Sequence, residues 1–229
     1  MKKLTNVTLF GLDCVDIDRL IKVAEICCEN FEFAEVKLLS SIPSGNKNVI
    51  KTHPVNSLKE YSEFIFKELN NYIDTEFVLI IQHDGFILNP YAWDDEYLKY
   101  DYIGAPLLVD EKLVVGNGGF SLRSKKLLNI LQNDPNIKIE ENPDHKYGQN
   151  EDWIISVIKR EYLESLDIKF APVELAHKFS FEKNKEYGAY WNGQFGFHGL
   201  KWTDISAWTK EHPEYNIDNT LIEKPNEHF

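Results

Sequence analysis

Of the 229 residues only three are cysteine, Cys14, Cys27 and Cys28, and a single one is methionine. The cysteines form no Cys-x-x-Cys pair and no zinc spacing. That excludes a disulfide framework or a thiolate metal centre and fits reduced thiols in a cytoplasmic protein. No apolar run approaches the roughly 20 residues a membrane span needs, so no transmembrane segment is expected. Met1-Lys2-Lys3 leads into an ordinary strand, not the long apolar core of a secretory signal. Positive charge is also scarce: 25 Lys and Arg face 37 Asp and Glu, a net charge of −12. A chain built to hold polyanions shows a basic face, so no nucleic-acid partner is expected. Internal repeats, low-complexity tracts and linkers are absent. Residues 1–229 therefore read as one domain, with a tail over 200–229 that carries no recognisable motif.

Aromatic residues, by contrast, make up 13% of the chain, and many fall between Tyr187 and Trp208. The most apolar stretch, Phe77-Val-Leu-Ile-Ile81, reads as a strand buried on both faces, as in a parallel sheet flanked by helices. Before it come a strand at Val7–Phe10, a helix through Leu20, Val23, Ala24, Cys27 and Phe31 capped by Asp16 or Asp18, and a strand at Val36–Leu39. A helix over Leu58–Tyr72 completes the run. This β-α-β-α-β order predicts an α/β fold whose central sheet is mostly parallel, with right-handed crossovers. Further on, Asp101–Pro106 reads as a short strand, Ser124 as the cap of a helix over Lys125–Leu131, and Asn133–Gln149 as a mobile loop. Glu151 opens one long helix ending near Leu166, and Phe170–Pro172 reads as a short strand.

Four places carry chemistry. The central strand ends in Gln82-His83-Asp84-Gly85, and ligands of open α/β sheets gather at the carboxyl ends of strands. Asp84 is suited to a divalent metal shared with phosphate, and His83 to a second ligand or a substrate contact; alternatively the tripeptide is a plain turn with local hydrogen bonds. Gly116-Asn-Gly-Gly119 is neither a Walker loop nor a dinucleotide fingerprint. It suits a backbone wall for a sugar, with Asn117 at the same surface, or a hairpin turn. Glu151-Asp152 at a helix start reads either as charges favoured by the helix dipole or as a general base. His198, within Phe195-Gly-Phe-His-Gly199, is a packed histidine or a late metal ligand. Trp191, Phe195, Phe197 and Trp202 suit either stacking on sugar faces or core packing.

The order of these motifs resembles a family of bacterial and fungal proteins classed as glycosyltransferases. The resemblance rests on Gln82–Phe86, Tyr100–Pro106, Gly116–Arg123, Glu151-Asp152, Phe170–Pro172 and Phe195–Gly199, and it covers about Val7 to Gly199. More distantly the pattern is similar to metal-dependent glycosyltransferases of the GT-A fold, a single Rossmann-like domain. That resemblance implies Asp84 and His198 as ligands of Mn²⁺ or Mg²⁺, with Gln82 where the first Asp of Asp-x-Asp stands. It implies Asp152, or else Glu151, as catalytic base. Gly118 and Gly119 would lie on the sugar side, with His83, Asn117 and Trp191 also binding substrate, and Asp13 near the nucleotide base or ribose. The expected reaction is inverting transfer from a nucleotide-sugar to a hydroxyl of a glycan, a lipid-linked acceptor or a small molecule, with the loop over 133–149 as a lid. A metal-dependent hydrolase and a non-catalytic nucleotide- or carbohydrate-binding protein are the competing readings.

Overall fold

In the computed structural model, residues 1–139, 148–182 and 191–217 are described. Strand β1 (Lys2–Leu12) enters helix α1 (Ile17–Cys28) through a turn built by Asp13, whose Oδ1 accepts the amides of Val15 and Asp16 at 2.8 and 2.9 Å. Asp16 caps the helix by accepting the Asp18 amide, and Ile17, Leu20, Val23, Ala24 and Cys27 form its buried stripe. Next come β2 (Phe31–Ser40), β3 (Val49–Lys51) and α2 (Leu58–Lys67), the last capped by Ser57. The helix expected to continue to Tyr72 tightens after Glu68 into a 3-10 turn over Leu69–Tyr72. Then follow β4 (Phe77–Ile80), β5 (Tyr102–Gly104), β6 (Pro106–Val109), β7 (Lys112–Val115), β8 (Ser121–Ser124) and α3 (Lys125–Asn133).

The six-stranded sheet runs β3-β2-β1-β4-β8-β5 and is flanked by helices, so the fold is the expected mixed α/β class. The pairs β3/β2, β2/β1 and β1/β4 are parallel, while β8 lies antiparallel to both β4 and β5. Val78, Leu79, Ile80 and Ile81 are fully buried, as the apolar run required. Ser124 caps α3 by accepting the Leu127 amide at 3.1 Å. The β6/β7 hairpin was not legible in the sequence. Its turn residues Asp110 and Glu111 take φ of +47° and +65° with no glycine to announce them.

The single helix expected over 151–166 is broken. It comprises α4 (Glu151–Trp153), a π-helical turn over Ile154–Ile158 and α5 (Arg160–Ser165), with Lys159 out of helical geometry at the junction. Phe170 forms an isolated bridge with Tyr102 rather than a strand. Beyond it lie α6 (Val173–Phe179), β9 (Ser180–Phe181), β10 (Gly196–Phe197), parallel to β9, and α7 (Ser206–Glu211). In the loop expected to act as a lid, Ile137 and Ile139 are buried, and residues 140–147 lie outside the described residues. Among the described residues no helix is long and apolar enough to cross a membrane.

Two substitutions test this framework by urea denaturation. Leu79→Ala, which empties a site at the centre of the sheet, is expected to cost about 2–5 kcal/mol, and Ser57→Ala, which removes the α2 cap, about 1 kcal/mol. Equal losses from the two would contradict the central place of β4.

Candidate functional site

The polar ends of three segments meet at the carboxyl end of β4. The chain turns there in a tight loop closed by two hydrogen bonds, from Gln82 N to Gly85 O and from Gly85 N to Gln82 O, both 3.0 Å, with His83 and Asp84 at its tip. Because β8 is antiparallel to β4, with Ile80 opposite Ser121, the segment Gly116–Phe120 that leads into β8 arrives at the same end. The third segment follows β10: Gly199 N donates to Asp84 O at 2.8 Å and His198 N to Phe181 O at 3.1 Å. His198 is thereby docked on the β4 turn although 114 positions separate it from Asp84 in the sequence.

Room for the imidazole is made by glycine. A Cβ on Gly119 would lie 2.0 Å from His198 Nε2, and one on Gly85 would lie 2.9 Å from its Cδ2. One edge of the ring faces the β4 turn, Nε2 lying 3.0 Å from Gln82 Oε1 and 3.6 Å from Asp84 Oδ1. The other edge, Nδ1, lies 2.9 Å from Asn117 Nδ2 and 3.3 Å from Glu182 Oε1. Glu182, nearly fully buried, also accepts from Asn117 Nδ2 at 2.5 Å and from Trp202 Nε1 at 2.9 Å. Burial alone would lower the His198 pKa, but Asp84 and Glu182 overcome it and raise the value to about 9. Asp84 is held below the usual carboxylate range: burial works to raise it, and His198 and His83 prevail. His83 is lowered, mainly by burial, with Arg19 and His198 acting against Asp84 and Asp13. Gln82 is oriented by Tyr61, whose hydroxyl accepts from its Nε2 at 3.1 Å, leaving the amide oxygen towards His198.

Asn117 takes φ of +63° in the left-handed region and is buried. Its Oδ1 accepts the Phe120 amide at 3.3 Å and its carbonyl accepts from Tyr102 Oη at 2.8 Å. This fixed bend turns the next amide, Gly118 N, towards Asp152 Oδ2 at 3.0 Å. The other oxygen of Asp152 accepts the Trp153 amide at 2.7 Å. Burial, then the charges of Glu151 and Glu182, push the Asp152 carboxyl up to about 6. Glu151 differs from it in its surroundings. It is buried, 2.9 Å from Nη2 of the fully buried Arg123, and a Cβ on Gly118 would strike its Oε1 at 2.0 Å. Both acidic residues border Gly118, but Asp152 is the one that accepts its amide and is only partly buried.

Asp13 is buried at the end of β1, where it organises the α1 turn and binds Arg19 Nε through Oδ2 at 2.6 Å. Trp191 is partly buried and packs on the core, and Phe195 and Phe197 are wholly buried among Phe86, Phe120, Phe179 and Phe181. Of the two readings left open by the sequence, Phe195 and Phe197 take core packing, through edge-to-face and tilted ring contacts. Arg19, Tyr61, Arg123 and Glu182 are not among the site residues the sequence offers. Arg123 alone carried a signal, a charged residue inside the run Ser-Leu-Arg-Ser of a strand.

Among the described residues no three His, Cys, Asp or Glu side chains form a group that could hold a metal ion. Asp84 Oδ1, Gln82 Oε1 and His198 Nε2 are a partial donor set. It suits a divalent ion whose remaining ligands come from a bound diphosphate, and a carboxylate on the far imidazole nitrogen, as Glu182 is on Nδ1, commonly backs a ligating histidine.

No functionally curated protein matches the sequence. Among solved structures, the apo-form glycosyltransferase GlyE of Streptococcus pneumoniae TIGR4 aligns with 97% of this chain and 62% of its own at a TM-score of 0.56 and 13% identity. The bifunctional IspDF of Campylobacter jejuni aligns with 63% of this chain and 46% of its own at a TM-score of 0.40 and 15% identity. The chain thus spans less than two thirds of either neighbour, and the likeness to GlyE is one of fold. Residues 46–198, which hold Asp84, the glycine segment, Asp152 and His198, match the model of a family described as a protein of unknown function, DUF5672, and the chain belongs to that family.

Proposed function

We propose that this protein is a GT-A-like glycosyltransferase that moves a sugar from a nucleotide-sugar donor to a hydroxyl of a glycan, lipid-linked or small-molecule acceptor, with inversion. The observation that carries the reading is the pairing, across Gly118 and Gly119, of Asp152 on one side with the Asp84–His198 pair on the other. The donor diphosphate belongs beside Asp84, Gln82 and His198. A divalent ion bound there, Mn²⁺ or Mg²⁺, would neutralise the charge of the leaving diphosphate. Arg19, paired with Asp13, and His83 add positive or hydrogen-bonding groups at the same strand ends. The missing side chains of Gly119 and Gly118 make room for His198 and Glu151 beside these groups.

Asp152 takes the acceptor proton. Gly118 N–H and Trp153 N–H each use one lone pair of its two oxygens, so others stay open to a hydroxyl. Its raised pKa makes it a better proton acceptor than an ordinary carboxylate at neutral pH. The direction of the pH effect follows. The group is protonated below about 6 and ionised above it, so turnover rises with pH through that value.

The test is release of nucleoside diphosphate and formation of glycosylated product from a panel of nucleotide-sugars and acceptors with Mn²⁺. Asp152→Asn is expected to lower turnover by about 100-fold or more while the protein stays folded, and Asp84→Ala to abolish it. The acidic limb of the wild-type profile should have its midpoint near 6. An active Asp84→Ala protein would sink the assignment of the diphosphate site. Free sugar released at the same rate with and without acceptor would make the protein a hydrolase, and donor binding without product would make it a binding protein.

A further inference from the structure

Arg123 is the one cation sealed in the centre of the described structure, at 0% exposure, and the transfer chemistry above gives it no task. It sits on β8 with its guanidinium 5.2 Å from the ring centre of Tyr102. One of its nitrogens, Nη2, reaches Glu151 Oε1 at 2.9 Å and the carbonyl of Gly118 at 3.4 Å. Its Nε donates to Ser121 Oγ at 3.0 Å, and that hydroxyl in turn donates to Gly118 O at 2.9 Å. The same guanidinium therefore grips the glycine segment directly, grips it again through Ser121, and grips the first residue of α4. The other side of α4 is held by Ser62 on α2, whose hydroxyl accepts the Glu151 amide at 3.2 Å and donates to Gln149 O at 2.7 Å.

Such a pair is a poor device for stability. Desolvating two charges offsets most of their attraction, and an apolar pair of like volume often serves the fold as well. What an apolar pair cannot do is bind a carbonyl of one segment and a carboxylate of another at once. Between those two anchor points lies a single functional contact, Gly118 N–H to Asp152 Oδ2 at 3.0 Å. We propose that Arg123 is a positioning residue: through Glu151 and Gly118 it fixes the separation of the glycine segment and α4, and so the aim of the Asp152 carboxylate. The role of Asp152 as base rests on the transferase reading; the geometric role of Arg123 does not.

The experiment compares the wild type with the double variant Arg123→Met with Glu151→Leu, which removes both charges and keeps the volume. Hydrogen exchange of the Gly118 amide, followed by NMR on the protein alone, reads the contact directly, with the Leu79 amide as a control for global opening. The expected result is a cooperative melt, an unchanged Leu79 amide and a Gly118 amide at least roughly tenfold less protected. In the transfer assay the same variant should lose turnover by about 100-fold with the donor KM little changed, as misplacement of a catalytic group requires. If the double variant does not fold, Arg123→Lys carries the test. It keeps the charge but lacks the planar fork, and should show the same loss of Gly118 protection and turnover. A folded variant with wild-type Gly118 protection overturns the proposal. Loss of Gly118 protection in a protein whose wild type forms no glycosylated product supports the positioning role and refutes the transferase reading instead.

Discussion

Because β8 runs against β4, with Ile80 opposite Ser121, whatever precedes Ser121 in the chain is delivered to the place where β4 ends. That antiparallel pairing converts two stretches about thirty residues apart, Gln82–Gly85 and Gly116–Gly119, into facing walls of one site. A sheet that stayed parallel beyond β4 would send the glycine segment to the opposite edge of the molecule. The third wall depends on the same arrangement. His198 fits only because Gly119 and Gly85 carry no side chain where the imidazole lies, and the amide of Gly199 is tied to the backbone of Asp84.

Electrostatically the site is a set of carboxylates each answered in a different way. Asp13 is matched by Arg19, Glu151 by Arg123, and Asp84 and Glu182 by the imidazole of His198 between them. Asp152 has two backbone amides and, among the described residues, no cation within ion-pair distance, so burial and its acidic neighbours move it upward while Asp84 moves downward. Carboxylates driven in opposite directions within one cluster are a common sign of divided roles, one holding charge and one accepting a proton.

Much of this was legible in the residues. Phe77–Ile81 read as an inner strand, Ser124 and the pair Asp16 and Asp18 marked helix starts, and the glycine and carboxylate clusters marked the ends that meet. What escaped has physical causes. The β6/β7 hairpin turns on Asp110-Glu111, residues with no intrinsic preference strong enough to signal positive φ. The helix after Asn150 was read as continuous because no proline or glycine interrupts residues 151–166, and neither residue marks the π-helical turn or the break at Lys159. The aromatics near the C-terminus look the same in a sequence whether they stack on a sugar or on each other, and Phe195 and Phe197 do the latter. Glu182 has no motif around it. Its importance comes wholly from a fold that places it against Asn117, His198 and Trp202. The resemblance put Asp152 ahead of Glu151 as base, and the reason they differ, the buried guanidinium of Arg123 held by Glu151, lies in the fold.

The most direct measurement of the central claim is a thermal-shift panel of nucleoside diphosphates and nucleotide-sugars, each with and without Mn²⁺. A ligand that binds only the folded chain stabilises it by about 2.7 kcal/mol at a hundredfold excess over Kd. The account predicts a rise in melting temperature for one nucleotide-sugar class, larger with Mn²⁺ and lost in Asp84→Ala. No shift from any nucleotide or nucleotide-sugar, with or without the ion, would contradict a diphosphate site at the carboxyl end of β4.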